Sequence, residues 1–152
     1  MKFTAAALLG AVSAKSFPGF SSLHAHCELS LTINASCADT YAAFDGKLKS
    51  FTDPAGGDYA IVQESAGSSV WVTRTTPVKH YVDDIIFEVS GTGATCNVVD
   101  KSQSQSLSYY DYDTNYCNMY NVFRNSGLTF GAITPSECKW VPDDAATTCN
   151  KY

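Results

Sequence analysis

Six cysteines, at Cys27, Cys37, Cys96, Cys117, Cys138 and Cys149, constrain this chain more than any other feature. Their even number, with no Cys-x-x-Cys among them, predicts three disulfides rather than a zinc site. His24 and His26 lie too close to the expected mature start to make a convincing ligand pair. Six cysteines allow about 15 pairings, and spacing removes few of them. Cys27–Cys37 is disfavoured, because an extended strand carries Asn34 roughly 24 Å from Cys27. Bridged Cα atoms lie about 4.4–6.8 Å apart. Cys138 and Cys149 are close enough in sequence to close on each other, and Cys96 meets Cys117 if a helix packs over the sheet.

Disulfides need an oxidising compartment, and the first residues supply an address. "MKFTAAALLGAVSA" has one early cation, Lys2, an apolar run and small residues before a cut after Ala14. That is the build of a secretory leader, too short to anchor in a bilayer. The alternative address is a plastid reached through a bipartite signal, suggested by the phenylalanine in "KSFPGF". No later segment reaches membrane-spanning length. Asn34-Ala35-Ser36 is a glycosylation sequon, which makes Asn34 a modification candidate. The 152 residues suffice for one domain, expected over residues 27–152 behind a flexible arm at 15–26. Ten Lys and Arg against fifteen Asp and Glu, with no basic block, exclude nucleic acid and anionic membrane as partners.

Residues 27–34, "CELSLTIN", alternate Leu29, Leu31 and Ile33 with polar residues, which predicts a strand. Ser36 and Asp39 have capping-box spacing, and Tyr41, Phe44, Leu48 and Phe51 recur at helical intervals, so a helix is expected over 37–50. Extended pieces follow at 59–64, 69–76, 79–89, 96–101 and 103–110, joined by links too short for parallel crossovers. Tyr116, Met119, Tyr120 and Phe123 then mark one face of a second helix, stopped at Gly127. The tail has no sustained period. The expected fold is therefore α+β: an antiparallel meander of five or six strands, two helices and an irregular, disulfide-stapled tail.

Residues 108–123, "SYYDYDTNYCNMYNVF", concentrate five tyrosines, two aspartates and three asparagines around Cys117. Asp111, Asp113 and Thr114 stand where a helix start wants acceptors, so capping is their simplest role. Asp111, Asp113 and Asn115 also mimic a calcium loop, but that loop's glycine and glutamate positions hold Tyr116 and Val122. No metal is expected. Asp83 and Asp84 are neighbours in a strand and point to opposite faces, so they cannot share a cleft. The inward one, Asp83, needs a partner, and Arg74 is the natural choice. Ser102, Ser104, Ser106 and Ser108 alternate along one face, expected to meet solvent or a partner. His80 is the sole internal base for a serine nucleophile, and no Gly-x-Ser-x-Gly elbow exists.

Residues 76–124 resemble the uncharacterised family called domain of unknown function 1499. Its pattern joins an Asp-Asp-aliphatic strand, a Ser-x-Ser strand and Asp-x-Gly-x-Asn opening a helix. "VDDIIF" supplies Asp83 and Asp84; Ser102 with Ser104, or Ser104 with Ser106, supplies the serines; "DYDTN" supplies Asp111 and Asn115. Asp113 stands in place of the glycine and Asn118 in place of an arginine. The family implies no activity. The order of elements is also similar to the helix-grip fold of lipid-carrying START-like proteins. A cavity of that kind would be lined here by Leu29, Leu31, Trp71, Phe87, Tyr116 and Tyr120; a solid core is the simpler expectation.

The leading functional expectation is non-catalytic binding of a small ligand or an extracellular protein. Tyr109, Tyr110, Asp111, Tyr112, Asn115 and Tyr116 would form an aromatic cleft around the second helix, without a cofactor. A hydrolase built from Asp83, His80 and Asp111, with Arg74, is the first alternative. An extracellular structural or coat protein is the second.

Overall fold

The computed structural model describes residues 15–152; the expected leader lies outside the described residues. Strand β1 (His26–Ile33) leads into helix α1 (Cys37–Leu48), then strands β2 (Asp58–Ser65), β3 (Ser69–Thr75), β4 (Val82–Ser90) and β5 (Cys96–Ser104). Helix α2 (Thr114–Asn125), strand β6 (Thr134–Ser136) and a short α3 (Ala145–Thr148) complete the chain, with a 3-10 turn over Cys149–Lys151. The six strands form one antiparallel sheet in the order β2-β3-β4-β5-β1-β6. The fold is α+β, built on the expected meander.

Period two sorts each strand. Leu29, Leu31 and Ile33 of β1, Val70 and Val72 of β3, Ile85, Phe87 and Val89 of β4 and Val98 of β5 share a face and are buried. Helices α1 and α2 cover that face with Phe44, Leu48, Met119, Val122 and Phe123. Phe87 stands at the centre, with ring centroids 5.4 Å from Phe44 and 6.2 Å from Phe123. Of residues 15–26, expected as a flexible arm, His26 opens β1 and the others lie along the outer face, where Phe17 meets Trp71 edge-on and Phe20 stacks on His26. Trp71 therefore cannot line a cavity with Leu29 and Phe87. Tyr116 joins the core and Tyr120 sits at its margin, so the six proposed cavity residues do not enclose one space.

Helix α1 starts as read, with Asp39 N donating to Ser36 Oγ at 3.2 Å. The box is not reciprocal, because the Ser36 hydroxyl donates to the Asp39 carboxylate instead. The helix ends at Leu48 rather than at residue 50. No separate strand forms over 103–110: β5 runs on to Ser104, and the chain then turns away. The sixth strand comes from the tail, as does a third helix. Thr134–Ser136 pairs with Ser30, Leu29 and Glu28 on the free edge of β1.

Three disulfides form, and neither suggested pairing is among them. Cys27 joins Cys138, Cys37 joins Cys96, and Cys117 joins Cys149. Each follows from neighbouring elements. Pairing of β6 with β1 brings Cys138 to Cys27, and the register Ile33↔Cys96 brings β5 to the start of α1. The tail lies on α2, where Asn121 Nδ2 donates to the carbonyls of Cys149 and Tyr152. Cys138 and Cys149 are thus drawn to different elements. Among the described residues no helix is long and apolar enough to cross a membrane.

Candidate functional site

Asp83 faces inward, as alternation along β4 requires, and is only 3% exposed. Arg74 is not its hydrogen-bond partner. Asp83 Oδ1 accepts from Ser104 Oγ at 2.7 Å and Oδ2 from Asn118 Nδ2 at 2.9 Å. Asn118 Nδ2 also reaches Ser102 Oγ at 3.1 Å, and Ser102 donates to Asn115 Oδ1 at 2.7 Å. Asn115 in turn donates from Nδ2 to Asp111 Oδ2 at 2.8 Å. One hydrogen-bonded chain therefore links β4, β5 and the first turns of α2. Ser102 is fully buried within it and Ser104 half-buried, because these two share the inward face of β5 with Val98, whereas Ser106 lies past the end of the strand and is exposed. Burial raises the Asp83 carboxyl above the usual range, and the hydrogen bonds from Ser104 and Asn118 only partly offset this.

Asp84, on the opposite face, is buried too. It accepts from Trp71 Nε1 at 2.9 Å and from Gln105 Nε2 at 3.0 Å. A third acid, Asp100, occupies the inward face of β5 opposite Leu29 and Phe87. Glu88 N donates to its Oδ1 at 3.3 Å, while its Oδ2 has no hydrogen-bond partner. Burial pushes its pKa well above the ordinary value.

Between β5 and α2 the chain makes a loop that ends in two left-handed residues, Tyr112 (φ 48°) and Asp113 (φ 72°). Asp113 occupies the N-cap position, but its side chain caps nothing. Asp111 does the capping, with Oδ2 accepting from Asn115 N at 3.2 Å. The left-handed turn throws Tyr110 and Tyr112 outward, 59% and 65% exposed. Tyr110 stacks on Tyr112 and packs on Trp140, with centroids 6.0 and 5.4 Å apart. Tyr109 belongs to the same cluster, under the Lys139 ammonium.

Below these rings lies a cleft of about 360 Å³, walled by Tyr81, Tyr110 and Tyr112 and floored by Asp83, Ser104 and Asp111. Of the six proposed binding residues, Tyr110, Asp111 and Tyr112 line it. Asn115 is buried beneath it and Tyr116 points into the core. His80 is exposed in the turn before β4, with φ 54°, and is not among the lining residues.

Arg74 lies behind the cleft and is 2% exposed. Its Nε donates to Asp53 Oδ2 at 2.5 Å. The Asp53 carboxylate is fixed through Oδ1 by Ala55 N at 3.0 Å and Gly57 N at 2.8 Å. Gly57 must be glycine, since a Cβ there would stand 2.5 Å from Asp53 Oδ2 and 2.7 Å from Arg74 Nε. The turn "DPAGGD" thus takes the Arg74 hydrogen bond, although Arg74 stands directly opposite Asp83 in the β3–β4 register and its charge still pulls the Asp83 pKa down.

Some residues of the site have a signal in the sequence. Asn118 sits one turn after Asn115 on the same helical face, and Ser102 falls in phase with the apolar residues of β5. Asp53, Tyr81 and Trp140 carried none, because their positions depend on loops and on the tail. Asn34 is exposed at the end of β1. Among the described residues no three His, Cys, Asp or Glu side chains gather to hold a metal. No protein-family model and no curated protein matches the chain.

Proposed function

We propose that the protein is an exported, disulfide-held binding protein that takes a small ligand in the tyrosine-walled cleft without transforming it. The observation that carries this reading is the state of the cleft floor. Both Asp83 oxygens already accept hydrogen bonds and Asp111 Oδ2 accepts two from Asn115. Asp111 Oδ1 is buried without a partner and is the one carboxylate oxygen of the floor left to take a ligand's donor. What the cleft offers is rigid aromatic surface above a fixed polar base, a combination suited to recognition. Export is supported by the three disulfides and by the leader-like first residues. Glycan and lipid panels followed by calorimetry test the reading. Tyr110→Ala and Tyr112→Ala are each expected to weaken a bound ligand about tenfold, the effect of losing an aromatic anchor. Silence of every panel would remove the proposal.

Hydrolysis is the second reading, and one observation favours it. Asp83 lines the cleft, and burial raises its proton affinity in the direction a general acid needs. Its expected signature is turnover of an ester or glycoside that Asp83→Asn abolishes; an inert wild type leaves binding alone.

Distant kinship with domain of unknown function 1499 is part of the same proposal. Of the residues that carry the resemblance, Asp83, Ser102, Ser104, Asp111 and Asn115 enter the one hydrogen-bonded chain, while Asp84 faces the other way. The φ of 72° at Asp113 suits the family's glycine. A solved member with these positions apart from one another would end the idea.

A further inference from the structure

Arg74 interacts with Asp53, Tyr59 and Asp83, yet one of its nitrogens lacks an acceptor. Its Nε is held by Asp53, but Nη1 is buried and has no hydrogen-bond partner. A buried guanidinium N–H without an acceptor is rare and calls for an explanation. Arg74 lines a second cleft, of about 300 Å³, together with Lys79, Lys151, Thr114 and Tyr152. No carboxylate side chain lines it, although the chain as a whole carries a net charge of −5. Among the described residues neither lysine forms a salt bridge. The two clefts share Thr76, Tyr81 and Thr114, so they adjoin along these residues.

We propose that the Arg74 cleft is an oxyanion site, and that the ligand is an acidic saccharide; the second half rests on the binding reading above. A buried guanidinium with an unpartnered nitrogen at a cleft wall matches carboxylate, sulfate or phosphate oxygens, and two flanking ammonium groups add charge without fixing geometry. In the neighbouring cleft the tyrosine faces suit the C–H face of a sugar ring. Ser104, Ser106 and Asp111 stand where ring hydroxyls would find partners. These polar groups interrupt the lining, so no continuous apolar surface exists for an acyl chain. The acidic group reaches past Tyr81 to Arg74 while its ring stays against Tyr110.

The oxidised chain is titrated with inorganic sulfate, inorganic phosphate, a neutral oligosaccharide, a uronate oligosaccharide and a sulfated one. The Arg74 Nε–Hε NMR signal reports the anion and calorimetry reports the sugars. Sulfate or phosphate is expected to shift that signal saturably, and the acidic sugars to bind about tenfold more tightly than the neutral one. Preference for uronate or for sulfate tells which group the Arg74 cleft takes. Lys79 and Lys151 are exposed, so the double variant K79A/K151A keeps the fold. It should lose most of the acidic preference while neutral binding holds within about twofold. Arg74→Lys, checked for folding by circular dichroism, should lose it too. Equal binding of neutral and acidic sugars, or an Arg74 signal unmoved by both anions, overturns the inference and leaves the binding reading standing. Anions at Arg74 with no sugar bound keep the oxyanion site and defeat the saccharide half, while the binding reading falls only if the lipid panel is silent as well.

Discussion

Asp100 occupies a point in β5 where alternation calls for an apolar side chain, level with Leu29 and Phe87. Burial holds its carboxyl well above the ordinary range, and only Glu88 N offers a hydrogen bond. Above the ordinary aspartate pKa, near 4, the unfolded chain releases this proton while the folded chain retains it. The stability tied to Asp100 is therefore complete below about pH 4 and falls as pH rises, until the folded pKa has been passed. Asp100→Asn cannot titrate. Urea unfolding at pH 4 and pH 7 should show the variant gaining on the wild type as pH rises; parallel curves would contradict the assignment. The signal for Asp100 stood in "CNVVDKSQS", an acid in phase with Val98, and the same logic placed Asp83 inward correctly. The partner of Arg74 was illegible for a different reason. Asp53 is in a loop, and no period reports where a loop folds back.

Helix α2 begins with strain that its own sequence does not relieve. Asp113 adopts φ 72° and makes no side-chain cap, and burial with nearby Asp111 and Asp143 raises its carboxyl. An L-residue with a Cβ in that region is disfavoured by roughly 1–2 kcal/mol relative to glycine. Asp113→Gly is thus expected to be more stable than Asp113→Ala by about 1 kcal/mol. Chemical denaturation of the two variants checks it, and equal midpoints would mean that the turn relaxes. Both long helices and the first strand were legible because eight to twelve residues display a period. Strand β6 and α3 were not, being three and four residues long. Elements that short exist through what they touch: β6 through the edge of β1, α3 through Arg124, whose Nη1 donates to the Ala146 carbonyl at 3.2 Å.

The whole molecule is stitched so that its last quarter clasps its beginning. The three disulfides close sequence separations of 111, 59 and 32 residues. In the chain-entropy model these are worth about 5, 4 and 4 kcal/mol in that order. Cys27→Ser with Cys138→Ser should therefore lower the thermal midpoint more than the corresponding change at Cys117 and Cys149. Calorimetry of the two double variants decides, and the reverse order would show that native contacts outweigh loop length. Connectivity was hidden from the sequence because it is a property of strand order, and β6 was invisible there. Beyond stability, β6 is a stopper. It carries Pro135 against the rim of β1, whose own run alternates leucines with serine and threonine and has few charges to repel a neighbour. If Cys27–Cys138 is reduced, three residues of pairing must hold the flap alone. Once it swings away, the bared edge is open to strand pairing with a second molecule, so reduction is expected to raise light scattering, which a comparison with and without reductant checks.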